Sequence, residues 1–308
     1  MAQGRHIVLA GATGLIGPKL ARELVSRDHR VTVLVRDPES ARRKLPGMAG
    51  YLSWSSSMKD GEWRNAIATA DAVINMAGAP VAARWTDQQK QRIRESRVQG
   101  TRNLVDAIAA AERKPAVLIN ASAVGYYGSS ETATFPEDAP AGNDFLGIVC
   151  RDWEKEADRA REFGVRVVLL RTGIVLDPDG GALAKLLPTF KLGLGGPLGS
   201  GRQWFPWIHR DDELDIILWA LENEHVEGPL NAAAPGITTN KEFSNILGNV
   251  LHRPALFPVP TFALKLVFGG GATALTEGQR AVPERTTKLG YRFKFPELEP
   301  ALRDLLKS

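Results

Sequence analysis

Short apolar runs recur along the first half of the chain, and amphipathic stretches separate them. The runs cover residues 6–10, 30–35, 72–76, 116–120 and 165–170. A continuous aliphatic and β-branched run bounded by turn residues is typical of a strand buried on both faces. Between the runs, apolar side chains return at helical spacing over residues 15–26, 87–112 and 150–163. This alternation predicts an α/β fold with a doubly wound parallel sheet and right-handed crossovers.

The alternation stops after about Gly173. Residues 177–206 are rich in glycine and proline, and one further helix is predicted at about 211–223. We therefore predict two domains, a sheet domain and a second, smaller domain of mixed α/β structure. Their ranges are 1–175 plus 205–225 for the sheet domain and 176–204 plus 226–308 for the smaller domain.

The composition is that of a globular protein. Hydrophobic residues make up 44% of the 308 residues and charged residues 24%, which excludes a long disordered chain. The one cysteine, Cys150, allows no intrachain disulfide and no multi-cysteine zinc site. A reducing compartment suits such a chain, so we predict a cytoplasmic protein without a metal site.

The charge balance argues against a polyanionic partner. Lysine and arginine number 39, and aspartate and glutamate 35, which gives a net charge of +4. Acids are scattered among the bases, so we expect no nucleic-acid partner, whereas an anionic small ligand fits this surplus. No uninterrupted apolar run reaches about 18 residues, so we predict no transmembrane helix and expect no membrane partner.

A glycine loop follows the first predicted strand and precedes the first predicted helix. Gly11, Gly14 and Gly17 fit the spacing G-x-x-G-x-x-G. Glycine lets the backbone approach a pyrophosphate closely, and the helix N-terminus offers free N–H groups to the phosphates. The pattern occurs again at 193–199, but without a strand before it or a helix after it. Context therefore makes the first copy the candidate dinucleotide site.

The end of the second predicted strand carries the residues that would select the cofactor. Arg36 comes first and Asp37 second, and Arg42, Arg43 and Lys44 follow closely. An acid directly at this position binds both ribose hydroxyls of NAD, whereas an arginine pairs with the 2′-phosphate of NADP. The order favours NADP(H), with a solvated surface arginine as the alternative.

Four segments together resemble the extended short-chain dehydrogenases/reductases. They are GATGLIG at 11–17, NMAG at 75–78, RVQGTRNLVDA at 97–107 and NASAVGYYG at 120–128. Residues 180–209 and the tail from about 252 resemble an epimerase-like branch with its own C-terminal domain, some members of which carry a cell-division-inhibitor label. The resemblance implies a Rossmann fold, an NADP(H)-dependent oxidoreductase, a small-molecule substrate (sugar-like by analogy) and, as one expectation, a homodimer.

The resemblance also implies roles for particular residues. Around the pyrophosphate it puts Gly11, Thr13, Gly14, Leu15, Ile16 and Gly17. At the adenosine end it puts Arg36, Asp37, Ala77 and Gly78, with Arg97 near a phosphate. Beside the nicotinamide it puts Thr172, Gly173, Ile174 and Val175.

The catalytic pattern of that superfamily is broken in this chain. Ser122 stands at the serine position, but no Y-x-x-x-K occurs, and Cys150 and Glu154 stand where tyrosine and lysine are expected. Three interpretations stay open. Tyr126 or Tyr127 supplies the proton, or Cys150 or Glu154 supplies it, or there is no turnover and the protein is an NADPH-binding regulator.

Three further groups have both a functional and a structural interpretation. His209 is either a proton donor or a residue that precedes a helix N-terminus capped by Asp211 or Asp212. The aromatic residues Trp204, Phe205 and Trp207 line a substrate pocket or pack a domain junction. The third group, residues 84–85, either faces the cleft between the domains or lies in solvent.

Overall fold

The computed structural model describes residues 4–307, and its core is one seven-stranded parallel sheet. The strands of the chain are β1 (His6–Ala10), β2 (Arg30–Val35), β3 (Gly50–Ser53), β4 (Ala72–Asn75), β5 (Val117–Ala123), β6 (Thr134–Phe135), β7 (Arg166–Thr172), β8 (Ile174–Asp177), β9 (Trp204–Phe205), β10 (Trp207–His209), β11 (Gly228–Ala232), β12 (Thr238–Thr239) and β13 (Arg280–Ala281). The sheet order is β3-β2-β1-β4-β5-β7-β11. The direction of winding reverses between β1 and β4, which is where doubly wound sheets bind ligands.

Helices connect the strands and build the region after β8. They are α1 (Gly17–Ser26), α2 (Pro38–Lys44), α3 (Trp63–Ala68), α4 (Asp87–Ala110), α5 (Phe145–Asp158), α6 (Gly181–Lys191), α7 (Arg210–Glu222), α8 (Asn240–Val250), α9 (Thr261–Phe268), α10 (Thr273–Thr276), α11 (Glu284–Lys288) and α12 (Leu298–Leu305). Single 3₁₀ turns cover Val124–Tyr127, Arg159–Phe163 and Gly270–Ala272. Within residues 4–307, no helix is long and apolar enough to cross a bilayer.

Each face of the sheet is covered by helices because successive strand residues point to opposite sides. From β1, Ile7 and Leu9 join one buried cluster with Leu20 of α1 and Ile216 of α7. Val8 points the other way, into a second cluster with residues of α3 and α4. A third cluster joins α6, α8 and α12 to the short strands β9 and β10, and it forms the core of the region after the sheet.

The predicted fold class is confirmed, and the main sheet has two strands more than the five that were predicted. β3 was missed because its sequence, Gly-Tyr-Leu-Ser, is short and only partly buried. β11 was missed because glycine, proline and asparagine interrupt its apolar pattern, yet it pairs with β7 over five residues. β11 lies within 226–308, the range assigned to the smaller domain, although it completes the sheet. The division into two domains stays a prediction.

Candidate functional site

The glycine loop folds so that side chains at two of its positions would overlap the backbone. Gly11 has φ +85°, and a Cβ there would lie 2.6 Å from the carbonyl carbon of Met76. A Cβ on Gly17 would lie 2.3 Å from the Gly11 oxygen. The Gly14 N–H donates to that same oxygen at 3.0 Å, which closes the turn. These contacts bring the loop against the end of β4, at the reversal of the sheet.

Helix α1 begins directly behind the loop without a side-chain cap. Ile16 is its N-cap residue and makes no capping hydrogen bond, and Pro18 has no N–H to satisfy. Thr13, Gly14 and Leu15 are exposed, while Ile16 and Gly17 are buried. The open N–H groups and the positive end of the helix dipole therefore face an accessible surface that suits a phosphate.

The two residues after β2 have different roles. The Asp37 carboxylate is the N-cap of α2 and accepts a hydrogen bond from the Ser40 N–H at 3.0 Å. Arg36 is exposed, and its guanidinium forms no ion pair with any described residue. Arg36 is therefore free to meet an anion, whereas Asp37 is held by the helix that it caps.

Arg97 of α4 lies beside the end of β4, against the backbone at Gly78. A Cβ on Gly78 would come within 3.0 Å of the Arg97 guanidinium, and Ala77 precedes it at the strand end. Arg97 donates to the carbonyl oxygens of Ala79 and Ile93 and lies over the ring of Trp153, but no described carboxylate pairs with it. Burial lowers the pKa of Arg97, as expected for a cation without a counter-ion.

A cavity of about 590 Å³ opens next to Arg97. Its wall comes from the carboxyl ends of β5 and β7, from α4 and the segment before it, from α5 and from the chain after α9. The ionisable side chains in the wall are Lys90, Arg97, Asp144, Cys150 and Glu277, and Thr172, Gly173, Ile174 and Trp204 line it as well. The volume lies within the range of small-molecule sites. Val175, the last residue expected beside the nicotinamide, follows in β8.

Behind this wall, Glu154, which stands where the lysine of the superfamily is expected, forms a buried ion pair with Arg171. Arg171 donates to both carboxylate oxygens of Glu154, at 2.8 Å each. The Ser122 hydroxyl also donates to Glu154, at 2.6 Å. Burial opposes the charge on Arg171, but the hydrogen bonds and charge of Glu154 raise its pKa. Each of the three side chains thus has its partners within the network.

The tyrosines belong to the same network. Arg171 donates to the Tyr127 hydroxyl at 2.9 Å, and that hydroxyl donates to the side chain of Asn231 at 2.7 Å. The Arg171 guanidinium carbon lies 3.5 Å from the ring centre of Tyr126. Burial raises the pKa of Tyr127 to about 12. Among the described residues that line the cavity, neither tyrosine appears, and neither do Ser122 and Glu154.

Cys150 is the one sequence-predicted catalytic candidate that lines the cavity. Burial, together with the negative charge of Glu154, raises the pKa of its thiol to about 12, although Arg97 acts in the opposite direction. The sulfur therefore keeps its proton at neutral pH and is a poor nucleophile. A thiol with so high a pKa is also poorly matched to proton transfer at neutral pH, so Cys150 is a candidate because of its place in the cavity wall.

Sequence reasoning missed two buried charged groups next to the site. Of the two arginines in β7, Arg166 is partly exposed and Arg171 is buried, and a charge in a buried strand is itself a signal for a buried partner. Glu213 of α7 accepts a hydrogen bond from the cavity residue Thr172 at 2.8 Å. Burial raises the pKa of Glu213 to about 8.

The remaining candidates divide between site and scaffold. His209 is the N-cap residue of α7, since its Nδ1 accepts from the Asp211 N–H at 3.0 Å, so it has a structural role as a cap. With Nδ1 accepting, the neutral ring carries its proton on Nε2, so this nitrogen cannot ligate a metal alongside Asp211 and Asp304. Trp204 and Trp85 line the cavity. Phe205, Trp207 and Arg84 do not; the first two are buried in the third cluster.

Comparison with known proteins agrees with this geometry. The model of the NAD dependent epimerase/dehydratase family matches residues 7–233. The chain belongs to this family. Residues 259–305 match a domain of unknown function, DUF1731, in agreement with a C-terminal region distinct from the family's sheet.

Similar proteins extend over nearly the whole chain. The chloroplastic epimerase family protein SDR39U1 homolog of Arabidopsis thaliana is 43% identical over 98% of this chain and 86% of its own length. The crystal structure of human epimerase family protein SDR39U1 with NADPH has a TM-score of 0.85 at 36% identity, covering 97% and 98% of the two chains. A nucleoside-diphosphate sugar epimerase from Corynebacterium glutamicum has a TM-score of 0.77 at 30% identity, covering 98% of this chain and 58% of that one.

Proposed function

We propose that this protein binds NADP(H) and transfers a hydride between the nicotinamide and a carbonyl or alcohol carbon of a small substrate. The observation that carries the proposal is the cavity of about 590 Å³ at the carboxyl ends of β5 and β7. Ligands of doubly wound sheets bind at this edge. The wall offers a cation, Arg97, and a protonated thiol, Cys150, to a molecule inside it.

The glycine loop supports a dinucleotide cofactor. Its backbone leaves no room for a Cβ at Gly11 or Gly17, and the uncapped start of α1 faces outward. A pyrophosphate would accept hydrogen bonds from the N–H groups of this loop and of the first helical turn. Human SDR39U1, crystallised with NADPH, supports the same cofactor for this chain.

Arg36 is the proposed contact to the 2′-phosphate, and a thermal titration tests it. At about 100 times its dissociation constant, a ligand adds about 2.7 kcal/mol of stability. We expect NADPH to raise the melting temperature more than NADH does, and Arg36→Ala to abolish that preference. Arg22→Ala, an exposed arginine on α1, is the matched control and should keep it. Equal shifts by both cofactors in the unmodified protein would contradict the assignment.

Cys150 is the proposed proton donor and acceptor. When bound, the cofactor supplies or accepts the hydride. The Cys150 sulfur, which stays protonated at neutral pH, would give its proton to the substrate oxygen in reduction and take it back in oxidation. Arg97 would orient an anionic group of the substrate. The buried Glu154–Arg171 pair would hold α5, and with it Cys150, at the end of β5.

A second candidate function is a regulator that binds NADPH without turnover. It is favoured by one observation: Ser122, Tyr127 and Glu154 find their partners in one another and in Arg171, not in the cavity. A family member whose serine, tyrosine and glutamate are engaged with one another in this way would keep the cofactor site and lose the reaction.

Deuterium transfer separates the two functions. The protein is incubated with NADPH that carries deuterium at C4 and with a panel of aldehydes, ketones and keto sugars, and the products are analysed by mass spectrometry. We expect deuterium in at least one alcohol product. Cys150→Ala should lower kcat by about 100-fold or more at unchanged NADPH affinity, and Cys150→Ser, which keeps a donor, should lower it less.

Two other results of the deuterium experiment would contradict parts of the proposal. Full activity in Cys150→Ala would remove the thiol from the mechanism. If NADPH binds but no product carries deuterium, the regulator takes the place of the enzyme. The sugar-like substrate, the cytoplasmic location and the two-domain division belong to the same proposal and rest on the sequence.

A further inference from the structure

One surface of the region after the sheet is strongly apolar. Seven large aliphatic or aromatic side chains on it are each more than half exposed, and we call them the apolar face: Leu192, Leu194, Leu256, Phe257, Phe262, Leu266 and Val267. Four of them are about three-quarters exposed: Leu192, Leu256, Phe262 and Leu266. Large apolar residues exposed singly are common, but a cluster of this size marks an interaction surface.

Backbone hydrogen bonds join two of the three segments that carry the apolar face, and the third, α9, directly follows the second. The Phe257 N–H donates to the Gly195 oxygen at 3.1 Å, and the Val259 N–H donates to the Pro197 oxygen at 2.9 Å. The Gly199 N–H donates a hydrogen bond to the Val259 oxygen at 2.9 Å. Residues 192–199 and 256–260 therefore lie side by side, and α9 starts one residue later. The segments that carry the exposed side chains are therefore neighbours in space as well as in the chain.

The charged residues within the segments of the apolar face are all basic. Lys191 precedes Leu192, and Lys265 lies in α9 between Phe262 and Leu266. Arg253 donates from its side chain to the Lys191 oxygen, which holds a second cation beside the first. All three are exposed. Residues 180–204 and 243–276 contain no aspartate or glutamate, so this basic rim has no acid within its own segments.

We propose that the apolar face is a docking surface for a membrane rich in anionic lipid. Apolar side chains that enter the headgroup boundary, with lysine and arginine at their edge, are the features of interfacial binding. A twofold contact between two copies of the chain is less favoured, because it would bring the basic rim of one copy against that of the other. The proposal revises the expectation of no membrane partner, which rested on the lack of a spanning segment.

Vesicle co-sedimentation of the full chain with NADPH tests the proposal. One set of vesicles is phosphatidylcholine alone, and the other is an equal mixture of phosphatidylcholine and phosphatidylglycerol. We expect sedimentation with the anionic vesicles only, and weaker binding as salt rises. Phe262→Ser combined with Leu266→Ser should weaken binding by more than about 100-fold. Lys265→Glu should weaken it by about tenfold.

The control is Lys288→Glu, an exposed lysine on α11 outside the apolar face, which should bind as the unmodified protein does. Lys265→Glu changes an exposed side chain, so it tests the surface even if the double serine variant folds poorly. Equal vesicle binding by Lys265→Glu and the unmodified protein, or no sedimentation at all, overturns the proposal. So does a dimer in sedimentation velocity that becomes a monomer in the double serine variant, because the face would then bind a second copy.

Discussion

Gly11 and Gly47 have nearly the same left-handed backbone, with φ of +85° and +87°. Their surroundings differ, since a Cβ on Gly11 would collide with the backbone of Met76, whereas a Cβ on Gly47 would have no atom within 4 Å. A left-handed conformation costs an L-residue about 1–2 kcal/mol. Gly47→Ala should lose about that much stability, which isolates the cost of the conformation.

Gly11→Ala adds a steric overlap with backbone to the same conformational cost. We expect it to destabilise the protein by clearly more than Gly47→Ala does and to abolish NADPH binding, because the loop must move away from β4. Urea unfolding of both variants and an NADPH titration measure the two effects. Equal losses of stability in the two variants would mean that the loop relaxes around the methyl group.

Glu213 predicts a pH dependence of stability. Its pKa is about 8 in the folded protein against about 4.3 in an unfolded chain. Between these values the unfolded state has released the proton and the folded state still holds it, so stability falls as pH rises, by up to about 1.4 kcal/mol per pH unit. The loss should begin above the unfolded pKa and level off above pH 8.

Glu213→Gln removes the titration and keeps an oxygen for the Thr172 hydroxyl. Chemical unfolding from pH 5 to pH 9 should therefore give a flatter stability curve for this variant than for the unmodified protein. The slope is the quantity compared, because the substitution also changes the absolute stability. If the two stability curves run parallel over this pH range, the pH dependence comes from groups other than Glu213.

At the scale of elements, the Glu154–Arg171 pair joins α5 to β7. Both side chains are almost fully buried, at 7% and 4% exposure, so removal of one partner leaves an uncompensated charge in the interior. We expect Glu154→Gln to cost about 3–5 kcal/mol. Replacing Arg171 with methionine in the same protein should recover part of that loss, since no charge then remains buried.

An exposed pair provides the comparison. Glu299 and Arg303 lie one turn apart on α12 and are both about half exposed, so Glu299→Gln should cost about 0.5 kcal/mol or less. Urea unfolding of the three variants gives the values. A double variant no more stable than Glu154→Gln alone would show that the packing of Arg171, and not its charge, holds the two elements together.

At the scale of the molecule, one buried carboxylate ties the C-terminal region to the sheet. Asp212 of α7 accepts hydrogen bonds from the Lys294 N–H at 2.8 Å, the Phe295 N–H at 3.0 Å and the Tyr291 hydroxyl at 2.9 Å. Hydrogen bonds to a charged acceptor contribute about 1.5–3 kcal/mol each. The segment that leads into α12 therefore has three of its hydrogen bonds on one side chain.

Asp212→Asn should loosen this attachment. An amide has one acceptor oxygen where the carboxylate has two, so we expect a loss of about 3 kcal/mol and faster amide hydrogen exchange in residues 291–305. Asp215→Asn, which removes a partly exposed ion pair with Lys294, is the control and should leave that exchange nearly unchanged. Uniformly faster exchange over the whole chain would instead indicate global destabilisation.

The cofactor side of the site could be predicted from the sequence because its signals are local. Gly11, Gly14 and Gly17 follow a buried run directly, and Arg36 comes directly after the next strand, so periodicity and spacing determine where they lie relative to the sheet. The five longest buried runs likewise determined the fold class. β3 and β11 were missed because neither has a continuous apolar pattern of its own.

The catalytic side was decided by contacts between residues far apart in the chain. Ser122, Tyr127, Glu154 and Arg171 meet only because β5, α5 and β7 pack together, and their mutual hydrogen bonds leave Cys150 as the candidate at the cavity. Local patterns were enough to predict five of the seven strands of the sheet, the glycine loop and the absence of a tyrosine–lysine pair. Which of the catalytic candidates lines the cavity could be read from the fold alone, because burial and hydrogen-bond partners depend on long-range packing.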